Sequence, residues 1–169
     1  PKMFGFPVEG FIGTTDQKKG LEDNWIDCFL NLRIMPQLLI LKSTNLDKEI
    51  ISKVKEKIKS ELLNHKPINA LIHGDLWSGN AGMDKSGKGV IFDPASWWAD
   101  SEVDIAMTKL FGGFRKEFYE EYHKIFPLKN GFEKRIIIYN FYHILNHANM
   151  FGGGYSKQVK DYIREILNM

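Results

Sequence analysis

Three oxygen-bearing side chains recur here at a spacing that could do chemistry. Asp75 and Asn80 lie five residues apart in His73-Gly74-Asp75-Leu76-Trp77-Ser78-Gly79-Asn80, and Asp93 follows Asn80 by thirteen, closing Ile91-Phe92-Asp93. The spacing suits phosphoryl transfer. The first Asp would accept the proton of an attacking hydroxyl, while the Asn and the second Asp would hold a magnesium ion that bridges nucleotide phosphates. Such a hard cation keeps several waters and needs few protein ligands. His73-Gly74-Asp75 taken alone reads equally well as an ordinary strand-to-loop junction. It is the whole set, on one strand–loop–hairpin–strand unit, that favours the chemistry.

That unit follows from local sequence. Residues 69–72 (Asn-Ala-Leu-Ile) are short, apolar and β-prone, a buried strand that delivers the loop. The loop at 73–80 contains Gly74 and Gly79, which permit backbone angles that other residues resist. Ala81-Gly82-Met83 reads as a second strand, the Asp84-Lys85-Ser86-Gly87-Lys88-Gly89 cluster as a turn, and 89–92 as a returning strand. The return places Asp93 beside Asn80 although eighteen residues separate it from Asp75.

Around this unit the pattern is helical. Residues 1–20, rich in Gly and aromatics without periodicity, read as an extended, loop-like entry. Between 22 and 41, Trp25, Cys28, Phe29, Leu32 and Met35 form one helical stripe, with Pro36 as a kink or break. Residues 46–63 form a clearer amphipathic helix, with Ile50, Ile51, Val54, Ile58 and Leu62 at three- and four-residue steps. Asp47 and Glu49 stand near its start, where the helix dipole favours negative charge. After the hairpin the chain is expected to be wholly helical: 101–110, 116–125 ending before Pro127, 132–150 ending at Gly152-Gly153-Gly154, and 156–167 with Ser156 as its cap. The fold class is α+β, mainly α, with a small β element carrying the chemistry.

Composition bounds the rest. A chain of 169 residues is expected to form one domain, and 43% apolar with 26% charged residues is ordinary for a soluble globular protein. A formal charge of +2 gives no argument for nucleic acid or membrane as partner. The lysine-rich stretch 53–59, interrupted by Val54 and Glu56, reads as a solvated helix face. No apolar run is long enough for a transmembrane helix, and no signal or transit peptide is visible. The single Cys28 rules out an intrachain disulfide and fits a reducing compartment, the cytoplasm. Set among Trp25, Ile26, Phe29 and Leu30, it reads as a buried inert thiol.

At the loop residues the chain resembles the fructosamine kinase (ketosamine-3-kinase) family, within the aminoglycoside-phosphotransferase-like kinases. The motifs that carry the resemblance are His-Gly-Asp-Leu-Trp-Ser-Gly-Asn (73–80), Phe-Asp-Pro-Ala-Ser (92–96), Leu-Phe-Gly-Gly-Phe (110–114), Gly-Phe-Glu-Lys-Arg (131–135), Leu-Asn-His (145–147) and Phe-Gly-Gly-Gly-Tyr (151–155). Phe4-Gly5-Phe6 and Asn24-Trp25 match more loosely, and 38–68 is the weakest stretch. The likeness is to the C-terminal lobe of a protein-kinase-like fold. The N-terminal lobe, with the phosphate-covering loop and nucleotide lysine, has no counterpart here, and the simplest expectation is a fragment beginning past the inter-lobe hinge.

The resemblance implies an ATP- and Mg2+-dependent kinase that phosphorylates the 3-hydroxyl of ketosamines, ribulosamine or fructosamine on protein-bound or free lysine amines. The 3-phosphate then breaks down and frees the amine, so the role implied is protein deglycation. It makes Asp75 the base, Asn80 and Asp93 the metal ligands, and Trp77 and His147 candidates for the substrate pocket. His73 would support the loop from behind, and Asp104 in Glu102-Val103-Asp104-Ile105-Ala106 would brace it from the next helix; otherwise Asp104 is a simple helix-start acid. His143 and His147, four apart, have the spacing of a metal pair but no evident third ligand. Trp77, inside the loop, is either an apolar wall for a sugar or lysyl stem or plain packing, whereas Trp97 and Trp98 read as core packing; the triple glycine is a lip or a helix stop. Two rivals stay open: another small-molecule kinase acting on an aminoglycoside or choline-like amine, which would favour an acidic pocket, and a lone lobe acting as a binding module. A lobe without its partner would leave apolar surface bare and tend to self-associate.

Overall fold

The computed structural model describes residues 3–41 and 44–169. The predicted loop-bearing strand forms as β5 (Asn69–Ile72), although only Ile72 of it is buried and Leu71 is exposed, and it is not alone. Four short strands fill the entry expected to be loop-like: β1 (Phe4–Phe6), β2 (Gly10–Ile12), β3 (Thr15–Gln17) and β4 (Gly20–Glu22). Pro1 and Lys2 of that entry lie outside the described residues. The hairpin is β6 (Ala81–Met83) and β7 (Gly89–Ile91), and the chain then makes one more strand, β8 (Trp97–Asp100), where only helix was expected.

β8 is the centre of the architecture. It runs antiparallel to β5, with Ile72 opposite Trp97 and Asn69 opposite Asp100, and antiparallel to β1 through Gly5 and Trp98. The sheet order is β4-β1-β8-β5, while β2–β3 and β6–β7 stand as separate hairpins. Its burial does not alternate, since Trp97, Ala99 and Asp100 are all buried, so no period-two pattern marks it in the sequence.

The helices are α1 (Trp25–Cys28), α2 (Met35–Ile40), α3 (Lys48–Leu62), α4 (Glu102–Leu110), α5 (Lys116–Ile125), α6 (Phe132–Phe151) and α7 (Gly154–Leu167). The stripe at 22–41 is helical but does not break at Pro36. A π turn, Phe29–Ile34, joins α1 to α2. Proline has no N–H for the carbonyl four residues back, and the wider turn accommodates that loss. That carbonyl, on Leu32, accepts instead from the buried Arg33 guanidinium at 2.9 Å. Ser156 is not the cap of α7: Gly152 and Gly153 sit at positive φ, and the helix already begins at Gly154.

α6 is buried through its middle turns and packs on α4 and α7, as a helix apolar nearly all round must. Trp25, Phe29, Trp97 and Tyr139 form an aromatic knot across helix and sheet, with Trp25 5.3 Å from Phe29 and 5.7 Å from Trp97. Cys28 lies fully inside, its thiol pushed up to about 12 by burial. Among the described residues, no helix is long and apolar enough to cross a membrane.

A second buried feature is polar. Asp100 accepts from Tyr139 at 2.7 Å and from the Ile68 amide, and meets the His65 ring at 2.6 Å. Glu102 holds Arg135 by two bonds at 2.6 and 2.9 Å, and also accepts from the Lys129 amide. This clamp ties the ends of α3 and β8 to the start of α6.

Candidate functional site

The loop between β5 and β6 is fixed from behind before it offers anything to solvent. Asp104, in the first turn of α4, accepts from the His73 amide at 2.7 Å and the Gly74 amide at 2.9 Å. Burial still holds its carboxyl above the usual carboxylate range, because the two amides pull it back only in part. The His73 ring reaches Phe92 O at 2.9 Å through Nε2 and accepts from the Asp75 amide through Nδ1 at 3.3 Å. One neutral tautomer, with the proton on Nε2, satisfies both contacts. His73 therefore ties the loop to the residue before Asp93 without needing charge.

The fold brings Asp75, Asn80 and Asp93 together. Asn80 is buried, at the end of a 3-10 turn (Ser78–Asn80), and its amide donates to Asp75 O at 3.0 Å and Asp75 Oδ2 at 3.2 Å. Phe92 N donates to Asn80 O at 3.1 Å, which fastens the hairpin's return strand beside the loop. Burial raises the Asp75 carboxyl above the ordinary range, and the nearby Asp93 pushes the same way; His147, His73 and the Asn80 bond pull it down. Asp93 is exposed and has φ 56°, the one non-glycine in the left-handed region among the described residues. An Asp in that conformation is held by its neighbours at a cost of about 1 kcal/mol or more.

This donor set fits a magnesium ion. The Asn80 amide spends its N–H groups on Asp75, leaving Oδ1 with no hydrogen-bond partner among the described residues, and Asp93 presents an unpaired exposed carboxylate. Hard oxygen donors of this kind suit Mg2+ bound together with phosphates.

Two glycines in the loop are required by contact. A Cβ on Gly74, at φ 84°, would stand 2.1 Å from Ala95 O; a Cβ on Gly79 would stand 2.3 Å from the Trp77 ring. The indole thus lies back over the Gly79 backbone, still 38% exposed, with Phe111 edge-on at 6.2 Å. Phe111 in turn meets His147 at 4.9 Å, and His147 meets Tyr155 at 5.0 Å and Phe151 at 5.7 Å. His147 Nδ1 donates to the His143 carbonyl at 2.8 Å, and Nε2 has no hydrogen-bond partner among the described residues.

Trp77 and His147 thus share one aromatic patch beside Asp75. Phe111, Phe151 and Tyr155 were not singled out in the sequence, although all three stand in the motifs that carry the family resemblance. The triple glycine is the turn that brings Phe151 and Tyr155 together against His147, their rings 6.1 Å apart. Trp97 is plain core, fully buried, and Trp98 is half-buried. His143 does not pair with His147 through its ring: it is fully buried, with both nitrogens unpartnered, and burial lowers it to about 3.

The chain is a member of a phosphotransferase family. The model of the fructosamine kinase family matches residues 1–169, and the chain belongs to that family. It is 43% identical, over 99% of its length, to a protein assigned as a ketoamine kinase in Synechocystis sp., of which it covers 57%. It is 38% identical to ketosamine-3-kinase of Mus musculus, over 97% of this chain and 54% of the relative. Identity to the chloroplastic protein-ribulosamine 3-kinase of Arabidopsis thaliana is 37%, over 99% of this chain and 52% of the relative. A crystal structure from Haemophilus somnus, assigned as a fructosamine-3-kinase, superposes with a TM-score of 0.89 at 28% identity, covering 99% of this chain and 57% of that one. The chain thus spans a little over half the length of these relatives.

Proposed function

We propose that this chain is the catalytic-loop, C-terminal lobe of an ATP- and Mg2+-dependent ketosamine kinase that phosphorylates the 3-hydroxyl of ribulosamine or fructosamine on lysine amines. The observation that carries the reading is the convergence of Asp75, Asn80 and Asp93 on a loop braced by Asp104. Asp75 would take the proton of the sugar hydroxyl as that oxygen attacks the γ-phosphorus and the bond to the β-phosphate oxygen breaks. Its carboxyl, raised by burial, is a better base than a solvated one. Asn80 and Asp93 would hold the magnesium, which when bound neutralises charge on the phosphates. Asp104 and His73 fix the loop, so that positioning rather than covalent chemistry lowers the barrier.

Trp77, Phe111 and His147 make an aromatic rather than acidic wall beside the base, which favours a sugar ring on an apolar stem over a polycationic aminoglycoside. Breakdown of the 3-phosphate would free the amine, giving protein deglycation. The test is mass-spectrometric detection of ATP-dependent phosphate on ribulosyl-lysine and fructosyl-lysine. The 169-residue chain and the complete product of its gene should be assayed in parallel. Phosphate on either ketosamine supports the reading; phosphate on aminoglycosides alone overturns it. Activity is expected from the complete product and not from the chain by itself.

A further inference from the structure

The Asp93 segment is held from a third direction, by a residue seventy-eight positions upstream of Ala95. Gln17 closes β3 and is 5% exposed. Its amide donates to Ala95 O at 3.3 Å and to Tyr142 OH at 3.4 Å. Ala95 is the joint of the site. Its N–H donates to His73 O at 2.9 Å, and its carbonyl lies against Gly74 so closely that no Cβ fits between them. The same carbonyl is where the chain leaves Asp93-Pro94 and enters β8. A buried carbonyl in such a place needs a donor, and Gln17 supplies it.

The donor is itself anchored. Arg33 is buried and has no carboxylate partner among the described residues; its guanidinium donates to Lys18 O at 3.0 Å and stacks on the Trp97 ring at 4.1 Å. Trp97 opens the strand that Ala95 leads into. Arg33 therefore fixes the backbone just after Gln17 and the indole just after Ala95 together. The β2–β3 hairpin also packs on α6, where Ile12 O accepts from the Asn146 amide at 3.4 Å, and borders an open cleft of about 1150 Å³ toward α2 and the end of α6. Nothing in hairpin formation requires a buried primary amide at position 17.

We infer that Gln17 is a positioning residue for the Asp93 metal-binding segment, acting through the Ala95 carbonyl and held in place by Arg33 and Tyr142. Asp93 sits in a backbone conformation it does not favour by itself. Loosening the Ala95 carbonyl lets Asp93 relax away from Asn80 without touching Asp75. The consequence rests on the kinase reading, but the coupling from hairpin to segment does not.

The test is amide hydrogen exchange at Ala95 and Phe92, read by NMR on the metal-free, nucleotide-free chain, for wild type, Gln17→Leu and Gln37→Leu. Gln37 lines the same cleft but bonds Asn146 and Asn149 instead, so it controls for disturbance of the cleft. Gln17→Leu is expected to speed exchange at Ala95 at least tenfold and leave Ile144 in α6 unchanged, while Gln37→Leu leaves Ala95 at the wild-type rate. Wild-type exchange at Ala95 in Gln17→Leu, or equal acceleration at Ile144, overturns the inference. Should Gln17→Leu not fold, Tyr142→Phe keeps the question open to refutation: it removes the hydroxyl beside the Gln17 amide, and an unchanged Ala95 rate overturns the inference. In the complete gene product, Gln17→Leu is expected to raise the half-saturating Mg2+ concentration about tenfold with the acceptor KM unchanged. If wild type transfers no phosphate the kinase reading fails, yet the exchange result still decides the coupling.

Discussion

Two acid clusters flank the sheet, and they are satisfied to very different degrees. At one end of β8, Asp100 and Glu102 meet His65, Tyr139, Arg135 and three backbone amides in a buried network. His65, Asp100 and Glu102 bring their ligand atoms within 4.8 Å of one another, which by distance alone would admit a metal ion. Their oxygens are already engaged. Beyond the other end of β8 and β5, among the described residues, Asp75 has one donor on its carboxylate and Asp93 has none. A carboxylate with its bonds filled holds the fold, whereas one held in place but left unfilled is available for chemistry. Proximity of acids therefore separates the clusters less well than the state of their lone pairs.

The contrast breaks most visibly at Glu102. Removing it by Glu102→Ala strands Arg135 in the interior, and a loss of about 3–5 kcal/mol is expected in chemical denaturation. A change under about 1 kcal/mol would mean the clamp is not structural. Asp104→Ala comes next, because it stands between the two clusters and leaves the His73 and Gly74 amides without their acceptor. It should cost about 2–3 kcal/mol and slow turnover by a larger factor than the loss of folded protein explains. Equal losses in both would make Asp104 a packing residue only.

His143 sharpens the comparison with acid. Its folded pKa of about 3 lies below the ordinary histidine value of 6.5, so the unfolded chain takes up a proton that the folded one refuses. The stabilisation is full above pH 6.5 and is lost as pH falls toward 3, at up to about 1.4 kcal/mol per pH unit. Denaturation between pH 7 and 5 should show about 2 kcal/mol of loss that His143→Leu removes; an unaltered pH slope in that variant would contradict the assignment. The smallest effect belongs to Asp93→Gly. It should leave stability within about 1 kcal/mol of wild type, since glycine accepts φ 56° freely, while turnover disappears. A large stability loss would place Asp93 with the saturated cluster instead.

The sequence made much of this legible where chemistry and local pattern coincide. The loop, its hairpin and the amphipathic α3 are all local, and Asp75, Asn80 and Asp93 follow from them. What escaped was non-local. β8 has no alternation because both faces are covered, so its strand character comes from β5 and β1 rather than from Trp97 and Trp98 themselves. The entry strands are three residues each and exist only through pairing across Gly5, Gly20 and the hairpin turn. Pro36 announced a break, but the carbonyl left free is met by the neighbouring Arg33 side chain, whose inward course is fixed by its tertiary contacts with Lys18 O and Trp97. Ser156 looked like a cap because its residue type fits, whereas the positive φ of Gly152 and Gly153 turns the chain earlier. Gln17 carries no motif at all, and Ala95, although it stands in the 92–96 motif, has no side chain that marks it as the joint of the site.

The most direct measurement is the rate of phosphoryl transfer to ribulosyl-lysine by the complete gene product carrying Asp75→Asn, with thermal unfolding and ATP binding followed on the same sample. Asn keeps the size and a carbonyl oxygen beside Asn80 but cannot take the proton, so the rate should fall by about 10³-fold with melting temperature and nucleotide affinity unchanged. Turnover within tenfold of wild type would contradict the assignment of Asp75 as the base.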